Sequence, residues 1–142
     1  MRAVIDTGVF VSALIRKQGT IGDVLRALRD GRFTAIYTTD IVVEIIDVLG
    51  REKFRAKYHI EPDDITTLVN LIRLRGELVT PTKKVTAPPT GTMCRDPKDD
   101  KFIEAALVAK ADCIVSGDAD LLVLNPFEEI PILRPAEFLA RL

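Results

Sequence analysis

The chain has 142 residues, 47% of them apolar and 29% charged, which suits one globular domain over residues 1–142 and is too short for two cores. A formal net charge of −1 excludes a generally basic nucleic-acid binder, so any polyanion has to be held by a local patch or through bound cations. The two cysteines, Cys94 and Cys113, lack a metal-like spacing and exclude a disulfide framework, which points to a reduced cytoplasmic interior and to packing roles for both thiols.

Arg2 to Asp6 reads as a short apolar strand and Thr7 to Arg16 as a helix. This opening is no export signal, because Asp6, Thr7, Gly8 and Ser12 interrupt its apolar run and no small-residue cleavage site follows. Nowhere does the chain approach the ~18 apolar residues of a membrane span. Thr20 to Asp30 is amphipathic, with Ile21, Val24, Leu25 and Leu28 on one face and Gly31 as its stop. Phe33 to Tyr37 is a second strand. Thr39 or Asp40 then caps a helix ending at Gly50, the segment REKFRAKYH adds a charged helix, and Glu61 to Gly76 adds another. Glu77 to Thr80 is a short strand, followed by a Pro/Thr/Lys loop from Pro81 to Thr92. DPKDDKFIEAALVAKA is a marked helix, with Asp96 as N-cap and Pro97 at its first position. Cys113 to Ser116 is a strand with a tight exit. Ile130 to Leu133 is the last strand, before a helix started by Pro135. Strands alternating with helices predict an α/β fold, a central, mainly parallel sheet with helices on both faces.

Asp6 in the middle of an apolar run poses the chemical question, since a carboxylate taken out of water without a partner is costly. In open parallel sheets, sites form at the carboxyl ends of strands. Asp6 and Asp118 both stand there. At about 100° per residue, Glu44 lies at the edge of the stripe Ile41, Ile45, Val48 and Leu49, which leaves it either an exposed helix residue or a member of the site. Asp99 falls in the first helical turn, where an acid suits the positive helix end. Asp100 has no such explanation. It shares a face with Ile103, Leu107 and Ala111 and points inward, with Glu104 one turn further along a weaker candidate. Asp118 or Asp120 alone could merely cap a turn. Four inward acids from four elements would repel one another and raise each other's pKa values, a conflict that Mg²⁺ or Mn²⁺ resolves by taking hard oxygen ligands.

VIDTGVFVSAL at the start, Glu44 in the helix after the second strand, DPKDDKFIEAAL, and IVSGDADLL near the end resemble, in order and spacing, the PIN-domain nuclease family. Within it the chain is similar to VapC-type toxins of toxin–antitoxin pairs. Its DPKDD form and SGD ending are closer to a PIN-toxin subgroup than to the commonest VapC pattern. The resemblance covers essentially the whole chain and implies a three-layer α/β/α fold. It further implies that Asp6, Glu44, Asp100 and Asp118 are metal-site acids, Asp120 an accessory, and Thr7 and Ser116 hydroxyls that orient water or phosphate. It also implies an RNA substrate and a small antitoxin encoded by an adjacent frame.

The expected reaction is phosphodiester hydrolysis, with Asp6, Asp100 and Asp118 binding metal and Glu44 either ligating or acting as a base through water. His59 is the sole histidine, so histidine pairs are no competitor, and it reads as a surface residue ending its helix. Arg95, Lys98 and Lys101 flank the acids and are the candidate phosphate contacts. Arg51, Lys53, Arg55 and Lys57, with Phe54 and Tyr58, form either a second grip or a solvated face with core aromatics. Asp40 to Gly76 supplies three helices on which Val43, Ile46, Ile60 and Ile65 exceed what one small sheet needs, pointing to a homodimer or a partner helix. The alternatives are a haloacid-dehalogenase-like phosphatase, whose second acid is Gly8 here, and a non-catalytic PIN-fold binding module.

Overall fold

The computed structural model describes residues 1–16, 18–81 and 99–142. Five strands form one sheet: β1 (Arg2–Ile5), β2 (Thr34–Tyr37), β3 (Gly76–Leu78), β4 (Cys113–Val115) and β5 (Ile132–Leu133). Their order is β3-β2-β1-β4-β5, and every neighbouring pair is parallel. Eight helices accompany them among the described residues: α1 (Thr7–Ile15), α2 (Gly19–Arg29), α3 (Thr39–Gly50), α4 (Glu52–Tyr58), α5 (Pro62–Arg75), α6 (Asp100–Ala109), α7 (Ala119–Leu122) and α8 (Pro135–Ala140). This is the expected three-layer α/β/α arrangement.

The burial pattern explains why helices have to cover both faces. Successive strand residues point to opposite sides, yet Ala3, Val4 and Ile5 on β1 and Cys113, Ile114 and Val115 on β4 are all buried. Helix α6 lies across β1, β2 and β4, while α2 packs on α1, α5 and α8. Phe10, Phe102 and Phe138 fill the layers, and Phe138 meets Phe33 edge-on at a centroid distance of 4.9 Å. Cys113 is buried in β4, its thiol pushed up to about 11 by desolvation first and by Asp112 second, so it packs and does not react. Cys94 lies outside the described residues.

Most element ends agree with the sequence within a residue or two, and the departures have local causes. Thr38, not Thr39 or Asp40, caps α3: its extended backbone lets Oγ1 accept the Ile41 N–H at 3.2 Å. Helix α5 gives way to β3 at Gly76 without a connecting residue. A Cβ at Gly76 would lie 2.2 Å from the Ile72 carbonyl oxygen and 2.7 Å from that of Ala35, so only glycine lets the chain turn there. Helix α6 stops at Ala109 because Lys110 turns left-handed at φ 52°, and the Ala111 N–H closes the end on Ala106 O. The expected start at Asp96 and Pro97 lies outside the described residues. Asp99, the residue before Asp100, already has helical backbone, at φ −83° and ψ −13°. The tight exit after β4 contains the short helix α7, which periodicity could not reveal in four residues. Strand β5 begins at Ile132, because Ile130 is drawn into a bridge with Phe127. His59 is exposed and ends α4 in the left-handed region, at φ 54°. Among the described residues no helix is long and apolar enough to cross a membrane.

Candidate active site

Sheet order determines where a site can form. The chain steps outward from β1 to β2 to β3, then returns to add β4 and β5 on the other side of β1. At such a switch point the connections leave β1 and β4 in opposite directions, and a crevice opens beyond their carboxyl ends. The register places Ile5 opposite Val115, so Asp6 and Ser116 leave the sheet side by side. Beyond β2, Thr38 starts α3, and Glu44 sits in the second turn of that helix.

Asp6 is only 8% exposed. Its Oδ1 accepts the Gly8 N–H at 3.1 Å, which caps α1, and its Oδ2 accepts the hydroxyl proton of Ser116 at 2.7 Å. Ser116 is fully buried, and its Oγ in turn accepts the Asp118 N–H at 2.9 Å. Asp118 caps α7, its Oδ1 accepting the Asp120 N–H at 2.9 Å. The capping role expected as the plain alternative for Asp118 is therefore real, yet Asp118 also lines the crevice. Asp6, Gly8, Val9, Ser12, Gly117 and Asp118 surround an open cleft of about 390 Å³, with Ile21 and Pro135 at its edge.

Electrostatically, Asp6 is held above its ordinary carboxyl pKa. Burial is the largest cause, and the nearby charges of Asp118 and Glu44 push the same way. The hydrogen bonds from Ser116 and Gly8 oppose the shift without cancelling it. Asp118 and Glu44 thus act on Asp6 as like charges.

The remaining acids are arranged less simply. Asp100 is half-buried, and its Oδ1 is buried with no hydrogen-bond partner among the described residues. Thr7, 4% exposed, has a buried Oγ1 in the same condition. Glu44 is ion-paired with Lys101, and the two side chains are 25% and 19% exposed. Glu44, Asp99 and Lys101 line a second cleft of about 520 Å³, bounded by Asp40, Val43, Asp47 and Arg51. Lys101, one of the expected phosphate contacts, is thus an inward base paired with Glu44. Glu104 is half-buried on α6. Arg95 and Lys98 lie outside the described residues.

The basic helix α4 meets its plainer reading only in part, since Tyr58 is exposed and does not join the core. Arg51 pairs with Asp47 at 3.1 Å, Arg55 Nε donates to the Ile60 carbonyl at 3.2 Å, and Phe54 packs partly buried against the core. Ile60 is buried rather than part of an exposed groove, and Ile65 is half-buried, whereas Val43 and Ile46 do face solvent. Sequence reasoning missed Ser12, whose position one helical turn after Gly8 was the available signal. It also missed the bridging geometry of Ser116, for which the sequence carried no signal beyond a hydroxyl at a strand end.

Does this site suit a divalent cation? Among the described residues no three acids, histidines or cysteines are gathered closely enough to form a finished metal cluster. The donor chemistry nevertheless fits, because the crevice offers carboxylate oxygens, the ligands that Mg²⁺ and Mn²⁺ prefer. The buried, unpartnered Oδ1 of Asp100 and the mutual repulsion acting on Asp6 are features that a cation would satisfy.

Comparison with known proteins agrees with this architecture. An uncharacterized protein of Methanocaldococcus jannaschii is 31% identical over 125 residues, covering 88% of this chain and 76% of that protein. The profile of the PIN domain family matches residues 2–120, from β1 into α7, and the chain belongs to the PIN domain family.

Proposed function

We propose that this protein is a Mg²⁺- or Mn²⁺-dependent endoribonuclease, the toxin of a toxin–antitoxin pair. Family membership supports the coarser part, nuclease-type hydrolysis of phosphodiesters, and favours it over the phosphatase alternative. The observation that carries the finer part is Asp6. A buried carboxylate, held by Ser116 and Gly8 yet repelled by Asp118 and Glu44, lies at the switch-point crevice of a parallel sheet.

In this reading Asp6, Asp100 and Asp118 hold the cation, and Glu44 either joins them or takes a proton from the attacking water. The bound cation supplies positive charge against the phosphate and acidifies water. Ser116 fixes the Asp6 carboxylate from one side and the Asp118 backbone from the other, so both acids face the cleft without rearranging. Asp99 and Asp120 are accessories on the rim, and Thr7 offers a hydroxyl to water or phosphate. Arg95 and Lys98 remain the phosphate contacts proposed from sequence.

The resemblance to VapC-type toxins supports a cytoplasmic protein restrained by a small antitoxin, and the solvent-facing Val43 and Ile46 support a homodimer or partner contact on α3. The test is cleavage of RNA by the purified full chain with Mg²⁺ or Mn²⁺, with chelator, and as Asp6→Asn. Cleavage that survives chelator, or that survives in the variant, rejects the proposal.

A further inference from the structure

Lys101 belongs to the most enclosed ion pair among the described residues. It joins α6 to α3 across 57 positions, with side-chain exposures of 19% and 25%, whereas the Arg2–Glu77 pair is 39% and 45% exposed. The three other pairs are more open still. A pair so enclosed is screened less than a surface pair, and removing one partner strands the other charge. Arg51, the other cation lining the same cleft among the described residues, is already engaged by Asp47.

The surroundings of this pair give it a second meaning. Lys101 directly follows Asp100, whose Oδ1 is buried and unpartnered, and Glu44 is one of the two charges that act on Asp6. The ammonium therefore neutralises Glu44, one of the charges acting on Asp6, while Asp118 still repels that carboxylate. We propose that Lys101 is an internal counter-ion that stands in for the divalent cation in the metal-free protein and competes with it for Glu44. This inference rests on the cation reading given above.

The chemistry suits exchange. A lysine is a point charge on a flexible four-carbon stem, able to let go of one carboxylate oxygen, whereas a guanidinium can lock onto both. With Lys101 in place the acid rim folds without metal. Glu44 joins a cation only after the ammonium has swung away. Lys101 is thus a positioning residue, acting through Glu44.

The test reads cation binding and stability in the full chain, without an activity assay. Mn²⁺ binding is followed by the electron paramagnetic resonance of free Mn²⁺, and melting is measured in chelator. Lys101→Met is expected to melt lower in chelator and to bind Mn²⁺ at least about tenfold more tightly, since one unit charge a few ångströms away acts on that scale even when largely screened by water. Lys101→Arg should keep the stability and bind no tighter than wild type. In Lys101→Met combined with Glu44→Gln, the gain in affinity should disappear. Lys101→Gln keeps a donor to Glu44 and serves if Lys101→Met does not fold. Equal or weaker Mn²⁺ binding by Lys101→Met, or by Lys101→Gln in its place, with wild type binding normally, overturns the counter-ion role and leaves the cation reading standing. Absence of Mn²⁺ binding in every variant overturns both.

Discussion

Ser116 donates its hydroxyl proton to Asp6 Oδ2 at 2.7 Å, joining the ends of two neighbouring strands that lie 110 residues apart in the chain. Ser116 Oγ also accepts the Asp118 N–H, so one fully buried hydroxyl sets the orientation of both crevice acids. A hydroxyl has one proton to give and can accept others, which is the combination this position uses. Ser116→Ala should cost about 1.5–3 kcal/mol, the range for a hydrogen bond to a charged group. Urea denaturation measures the loss. In an Asp6→Asn background the cost should shrink, and equal costs in both backgrounds would mean the bond does not act on the Asp6 charge.

The raised pKa of Asp6 predicts a particular pH dependence. Between the ordinary value of 3.8 and its higher folded value, the folded protein holds a proton that the unfolded chain has lost. Stability from this group is therefore complete below 3.8 and falls as pH rises through the folded pKa. In chelator, Asp6→Asn should melt above wild type at neutral pH, and the advantage should vanish in acid. Melting curves of the two proteins compared at each pH decide this. A difference that does not change with pH removes the electrostatic argument.

Cleavage should depend on the proposed cation-site acids separately from folding. Asp6→Asn, Asp100→Asn and Asp118→Asn are each expected to lower RNA cleavage at least about a hundredfold, the scale of losing one preorganised charged group. Circular dichroism should stay unchanged. Asp118→Asn retains an oxygen that can cap α7, which makes it the cleanest of the three for separating charge from structure. Full activity in any one of them excludes that residue from the site.

Gly76 is predicted to be intolerant for a steric reason. A Cβ there meets two backbone oxygens and approaches Tyr37 Cδ1 at 2.9 Å. Gly76→Ala should destabilise by about 1–3 kcal/mol or more, as overpacking against backbone does. Gly50 supplies the control: nothing lies within 4 Å of its would-be Cβ, and it ends a helix. Gly50→Ala should be neutral or stabilise by up to about 1 kcal/mol. Denaturant midpoints of the two variants test the contrast.

The solvent-facing side of α3 should serve association and not stability. Val43 is 57% exposed and Ile46 45%, and they lie three residues apart on one helix face. Val43→Glu with Ile46→Glu should change stability by no more than about 0.5 kcal/mol per site, as surface substitutions do. Light scattering on sized protein should show wild type as a dimer at micromolar concentration and the double variant as a monomer. Copurification with the product of the adjacent small frame should weaken in parallel. A wild type that is already monomeric removes the dimer from the proposal.

The local pattern of this chain was enough to determine its parallel α/β class, the strand ending in Asp6, the amphipathic helices and the inward tilt of Asp100. Each of those depends on periodicity, or on a residue's place relative to its own strand or helix. The edge position of Glu44 also followed from its own helix, but its partner did not. The Glu44–Lys101 pair spans 57 residues and exists because α3 and α6 meet at the rim, which depends on β2 and β4 flanking β1. The sheet order is decided by how buried faces pack, and no local pattern encodes it. The same holds for Ser116: its place after β4 was readable, whereas its bond to Asp6 required the register that sets Ile5 against Val115. Helix α7 is too short to show a period, and the Gly76 turn is enforced by the Ala35 carbonyl of a neighbouring strand. Local sequence determined which residues could carry charge to the rim. Long-range packing decided which of those charges face one another.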